Sequence, residues 1–412
     1  MFEVAVICLV ATALMAYVNH RFIGLPTTIG VMIIALGLSL LLIGLDAVGV
    51  GVLRDYEESL LARIDFTEVL MQGMLSLLLF AGALHVDLSK LRSLRWQVGL
   101  LAVFGTLLST LFVGFTLWLV LPWLGLSLSL VWCLLFGALI SPTDPIAVMG
   151  ILKSAGAPKN LELLIAGESL FNDGVGVVLF AMLLATLHSG VAPHWQEAGL
   201  LLLHEAGGGI LFGLLLGYIA YRLLKSIDSY QEEVLITLAT VLGGYALANR
   251  LHVSGPLAMV VIGLLIGNHG RALAMSERTR HHVDLFWELL DEILNAVLFV
   301  LIGLEVILVS FNAGVLVAAL VTVLITLAAR LLSVSCPAGL CRRRFGLPAG
   351  SWKVLTWGGL RGGISVALAL SLPVGAERDL VLALTYAVVV FSILVQGLSI
   401  GRVTRYAIGT AS

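Results

Sequence analysis

The sequence is dominated by apolar stretches about as long as a lipid bilayer is thick. A helix rises 1.5 Å per residue, so about 20 largely apolar residues cross the hydrocarbon core. Windows of this kind recur at about 2–19, 27–45, 67–85, 97–121, 127–151, 160–187, 199–221, 232–249, 256–268, 284–309, 313–335, 351–372 and 379–401. The chain is 60% hydrophobic and 12% charged, against about 45–50% and about 25% in soluble domains. That excludes an ordinary soluble enzyme, and also a disordered chain, which is poor in apolar residues. A net charge of −2 offers nucleic acid no basic field. Cys8, Cys133, Cys336 and Cys341 show no paired ligand spacing and read as packing residues. The expectation is an all-α polytopic membrane protein with 13 transmembrane helices. No basic flank precedes the first segment, so it is expected to be a retained helix.

Lysine and arginine placement sets orientation. Assigned to alternate loops, 18 of the 23 basic residues fall on one face and four on the other, with Arg361 left inside a span. The amino terminus is therefore expected outside and the carboxyl terminus in the cytoplasm. Thirteen spans also permit an inverted symmetry. Residues 1–187 (segments 1–6) and 232–412 (segments 8–13) would be two inverted six-helix repeats, joined by a linker helix within 188–231. A small internal match agrees, because Pro26 precedes Gly37 by the same eleven residues that separate Pro256 from Gly267.

Segments 5 and 12, the fifth members of each proposed repeat, are both interrupted. In Ser141-Pro142-Thr143-Asp144-Pro145 two prolines remove backbone donors and clash with preceding carbonyls. In Trp357-Gly358-Gly359-Leu360-Arg361-Gly362-Gly363 four glycines each weaken helix by roughly 1 kcal/mol relative to alanine. Irregular backbone at membrane depth survives only where protein or a watery cavity satisfies it. Paired interruptions in two halves point to a transporter's substrate site. Segment 6 adds Gly167-Glu168-Ser169-Leu170-Phe171-Asn172-Asp173-Gly174 at mid-span, with Glu168 one turn before Asn172 and Ser169 one turn before Asp173. Left unpaired, Asp144, Glu168, Asp173 and Arg361 would together cost about 10–14 kcal/mol at the bilayer centre. They must be paired, hydrated or neutralised.

These three stretches, with the run from Phe286-Trp287-Glu288 through Asn295 to Gly303, resemble the signatures of monovalent cation:proton antiporters of the NhaP/NHE type. The resemblance implies a thirteen-helix homodimer in the cell membrane, with a six-helix core that moves relative to a dimerisation domain. It places Thr143 and Asp144 at an unwound crossing. Ser169 and Asp173 would complete the cation site, Asn172 would support it, and Glu168 would pair with Arg361. In this family an Asn-Asp pair like Asn172-Asp173 goes with electroneutral one-for-one exchange.

The chemistry can be argued from the residues as well. A carboxylate that holds either a proton or a sodium-sized cation, seldom both, couples the two fluxes. Asp173 is the expected exchanging group and Asp144 the second acid, with Thr143 and Ser169 as oxygen ligands for a hard cation. The substrates are then a monovalent cation (Na+, with Li+ or K+ as alternatives) and H+, with no cofactor and no nucleic acid partner. The nearest rival is a cation channel, which should show a repeated filter or a ring of identical groups. A membrane hydrolase is disfavoured, because neither His-Glu-x-x-His nor Gly-x-Ser-x-Gly occurs. Glu288, Asp291 and Glu292 read as a solvated helix start, the alternative being an acidic inner funnel. Asp46, Asp55, Glu57, Glu58 and Asp65 read as an acidic external loop.

Overall fold

The computed structural model describes residues 2–47, 73–189, 200, 203–271, 274–305, 313–340 and 350–408, and these are helical throughout their ordered elements, without strands. The expected acidic loop from Asp55 to Asp65, the start of segment 3 and the loop cations Arg54, Arg63 and Arg342–Arg344 lie outside these residues.

Helices α1 (Phe2–Val18), α2 (Thr27–Ala47) and α3 (Leu75–Leu84) come first. After the Asp87-capped turn Leu88–Leu91 come α4 (Thr106–Val120), α5 (Leu130–Ile140), α6 (Ile146–Ser154) and α7 (Lys159–Ser189). The chain continues through α8 (Gly208–Leu224), α9 (Tyr230–Arg250), α10 (Gly255–Leu265) and α11 (Glu277–Glu305). It closes with α12 (Ala313–Leu340), α13 (Ser351–Trp357), α14 (Gly363–Leu370), α15 (Ala376–Phe391) and α16 (Leu398–Ile408). Among the described residues six helical stretches are long and apolar enough to cross a membrane. Shorter apolar helices at Thr27–Leu42, Leu75–Leu84, Leu130–Ile140 and Gly255–Gly270 occupy further windows. Segments 5 and 12 break where the prolines and glycines fall, between α5 and α6 and between α13 and α14.

The helices pack as two groups. The first joins α1, α2, α3 and α8–α11, chiefly through α3 against α10, α2 against α11 and α8 against α10. The second joins α4–α7 with α12–α16, through α4 against α5, α12 against α4 and α15, and α13 against α16. Each group thus draws helices from both halves of the chain. One apolar core, around Phe80, Met259 and Trp287, lies almost wholly in the first group. Another, around Phe136, Ala329 and Leu384, lies in the second. Fewer helix contacts join the groups, along α7 against α3 and α10, and α11 against α14, and a third apolar core, around Met32, Phe299 and Leu360, spans the two.

Small residues let backbones approach where lipid gives no hydrophobic drive between helices. At Gly137 of α5 an added Cβ would lie 2.4 Å from the Thr110 carbonyl oxygen of α4. That contact is backbone and cannot swing aside. Gly137→Val should therefore destabilise by about 1–3 kcal/mol, read as a lower Tm and yield in detergent. An unchanged Tm would contradict this close crossing.

Candidate functional site

Helix α5 ends at Ile140 because Pro142 cannot continue it, and α6 begins only at Ile146. Helix α13 ends at Trp357 and α14 starts at Gly363. The two gaps meet. The Asp144 amide donates to the Leu360 carbonyl at 2.8 Å, so the backbone of one interruption satisfies the other. Arg361 Nη1 donates to the carbonyls of Ser141 and, at 2.8 Å, Pro142. Its charge therefore sits at the carbonyl end of α5, where the helix dipole favours a cation.

Further backbone groups of the crossing are met by side chains. The Thr143 amide donates to Asn172 Oδ1 at 3.3 Å, and Ser169 Oγ donates to the Thr143 carbonyl. Asn172 Nδ2 also donates to Thr143 Oγ1 at 2.9 Å. On the other side, the Arg361 amide donates to Ser392 Oγ at 2.9 Å, and Gln396 Nε2 donates to the Trp357 carbonyl at 3.1 Å. Ser392 and Gln396 are joined in turn, at 2.9 Å. Glycine is required at Gly362, where a Cβ would come 2.1 Å from Asp144 Oδ2.

Asp144 and Asp173 line one cavity of about 130 Å³, with Thr143, Ser169 and the turn Gly362–Ser365. They are close enough for the charge of one to act on the other. Asp173, Ser169 and Thr143 are 8%, 1% and 5% exposed and Asp144 is half-buried, so the acids face a largely protein-lined space. Water takes about 30 Å³ per molecule in the liquid, so the cavity has room for a partly dehydrated ion. The opposite wall comes from the first helix group, from Leu78, Gly82 and Val86 and from Asp291 and Asn295. Asp291 corrects the reading of a solvated helix start. Glu288 and Glu292 are exposed, but Asp291 turns into the cavity. One helical turn separates Asp291 from the buried Asn295, and that spacing was the available signal.

The expected Glu168–Arg361 pair is not formed. Glu168 binds Arg330 of α12 in a bidentate pair, Oε1 to Nη1 at 2.5 Å and Oε2 to Nη2 at 3.0 Å, with both side chains buried. Arg330 also donates to the Leu355 carbonyl at the end of α13, from Nε at 3.1 Å and from Nη2 at 2.9 Å. It passes over Gly359, where a Cβ would lie 2.3 Å from Nε. Arg330 counts among the 18 basic residues expected on the cytoplasmic face, yet it stands inside a helix. It lies inside its apolar window, five residues from the edge, and such a position is easily taken for a helix-end anchor that reaches the interface.

The family described as "Sodium/hydrogen exchanger, transmembrane" matches residues 9–406. The chain is 57% identical over 399 residues to the Na(+)/H(+) antiporter NhaP of Pseudomonas aeruginosa, covering 96% of this chain and 94% of that one. It is 37% identical over 373 residues to the Na(+)/H(+) antiporter NhaH of Halobacillus dabanensis, covering 89% of each. The structure of the sodium proton antiporter MjNhaP1 from Methanocaldococcus jannaschii at pH 8 superposes with a TM-score of 0.77 at 19% identity, covering 98% of this chain and 97% of that one.

Removing one partner of a buried ion pair typically costs about 3–5 kcal/mol. Arg330→Ala should accordingly lower Tm in detergent well below that of the parent, and Glu168→Gln should do the same. If Arg330→Ala melts with the parent, Glu168 is not held by Arg330.

Proposed function

The chain belongs to the sodium/hydrogen exchanger family, and from that premise we propose that it is a secondary active antiporter exchanging sodium for protons across the cell membrane. The observation that supports this reading is the placement of Asp144 and Asp173, from separate elements, on one cavity beside two interrupted helices. Asp173 is the carboxylate that exchanges cation for proton, and Asp144 the second acid. Thr143 and Ser169 offer oxygens to the ion, while Asn172 and Arg361 hold the crossing that presents them. No cofactor takes part.

Charge balance gives the stoichiometry. Among the described residues, the charged side chains in the middle of the second helix group are Glu168, Asp173, Arg330 and Arg361, which are buried, and Asp144, which is half-buried. Glu168 cancels Arg330, and Arg361 cancels one of the two aspartates, which leaves one negative charge. One sodium ion or one proton neutralises it. A lone charge at the bilayer centre costs about 2.5–3.5 kcal/mol, so the empty site would cross on the order of a hundredfold less often than a loaded one. Loaded crossings dominate, and exchange is one for one and electroneutral.

The same group, α4–α7 with α12–α16, is the body that moves, elevator-like, against α1–α3 and α8–α11. The fold is read as 13 transmembrane helices, with inverted repeats at 1–187 and 232–412 about a linker at 188–231. The termini lie outside (amino) and in the cytoplasm (carboxyl), and the working unit is a homodimer that serves pH homeostasis.

Reconstituted vesicles with a trapped pH dye test the reading. Sodium chloride should move protons in the parent, and Asp173→Asn should abolish the response. Lithium and potassium chlorides, added in turn, report selectivity. Clamping the membrane potential with valinomycin and potassium should leave the sodium-driven rate unchanged, and a rate that follows voltage would contradict one-for-one exchange. Because proton and cation compete for Asp173, the half-saturating sodium concentration should rise as pH falls. A pH-independent value would contradict a shared site.

A further inference from the structure

The cavity has an acid on each wall. Asp144 and Asp173 stand on the second helix group, while Asp291 stands on α11 of the first. Asp291 lies within reach of the charge of Asp144. Its Oδ1 is buried and has no hydrogen-bond partner among the described residues. A buried carboxylate oxygen left in that state is destabilising unless something positive meets it. Asn295, one turn on, gives its Nδ2 to the Asp291 carbonyl at 2.8 Å.

The position of Asp291 is fixed by packing. One turn before it, Trp287 is fully buried against Phe80 with ring centroids 4.5 Å apart, and its Nε1 donates to Thr237 of α9 at 3.0 Å. Both partners belong to the first group. Asp291 therefore stays with the wall when the second group moves. On that wall the cavity runs down to Val86, beside the Asp87-capped turn that leads into Leu88–Leu91.

We propose that Asp291 is a cation ligand of one conformation only, lending its carboxylate to the alkali ion at Asp144 and Asp173 while the site opens toward the Asp87 turn, and losing it as the site departs. The inference rests on the moving-body reading above. A ligand confined to one state strengthens cation capture on one side of the membrane and leaves the other untouched. The exchanger is thereby made asymmetric in affinity although its stoichiometry stays symmetric.

Sidedness measures this directly. Everted and right-side-out vesicles from the same cells give the half-saturating sodium concentration at each face. Asp291→Asn should raise it about tenfold, equivalent to about 1.4 kcal/mol, at the face of the Asp87 turn. The opposite face should be unaltered and the maximal rate maintained. Asp291→Glu should restore most of the loss, and Glu288→Gln and Glu292→Gln should change neither face. Equal shifts at both faces would make Asp291 part of the travelling site, and no shift at either would remove it from the ion's path. Both results overturn the inference. Parent vesicles, with Asp173→Asn beside them, separate the two levels. A parent that exchanges sodium while Asp291→Asn acts on both faces or neither sinks this inference alone. A parent without exchange sinks the antiport reading, and this inference with it.

Discussion

Two interrupted helices survive at membrane depth here because each supplies what the other lacks. The Asp144 amide meets the Leu360 carbonyl, and the Arg361 guanidinium meets the carbonyls that end α5. Ser169, Asn172, Ser392, Gln396 and Arg330 satisfy further backbone groups there. Each backbone group left bare in an apolar medium would cost roughly 2–7 kcal/mol. Several together would exceed the whole stability of an ordinary domain, about 5–15 kcal/mol. The crossing is therefore all or nothing. Ser169 and Asn172 hold Thr143 in place, and that placement brings Asp144 to the cavity that Asp173 also lines.

The arrangement separates two electrostatic problems. Glu168 and Arg330 form a closed, bidentate pair away from the cavity and tie α7, α12 and the end of α13 together. Arg361 is committed to helix-end carbonyls, while Asp144 and Asp173 line the cavity. Had Arg361 bound Glu168, the end of α5 would have lost its cap and Arg330 its carboxylate. The observed partition keeps the Glu168–Arg330 pair apart from the cavity that Asp144, Asp173 and Asp291 line.

Much of this was legible in the chain. Apolar windows located the helices, because a bilayer requires length and internal hydrogen bonding of any spanning segment. Pro142, Pro145 and the glycines from Gly358 to Gly363 marked both interruptions, since backbone chemistry acts locally. Spacing on one helix brought Glu168, Ser169, Asn172 and Asp173 together. Partners across helices were harder to read. Arg330 is distant in sequence from Glu168, and only the crossing of α7 and α12 brings them within bonding distance. Asp291 looked like one of three solvated acids, because which side of α11 faces the cavity depends on how α2, α3 and α9 pack around it.

The central claim is that cation and proton share one acidic pocket. Sodium titrated calorimetrically into the purified protein, in two buffers of different ionisation enthalpy, counts the protons released as the ion binds. Release should approach one proton per sodium ion in the pH range where the empty site is protonated, and fall toward zero at higher pH. Sodium binding that releases no protons at any pH would place the two ions at separate sites and contradict the account.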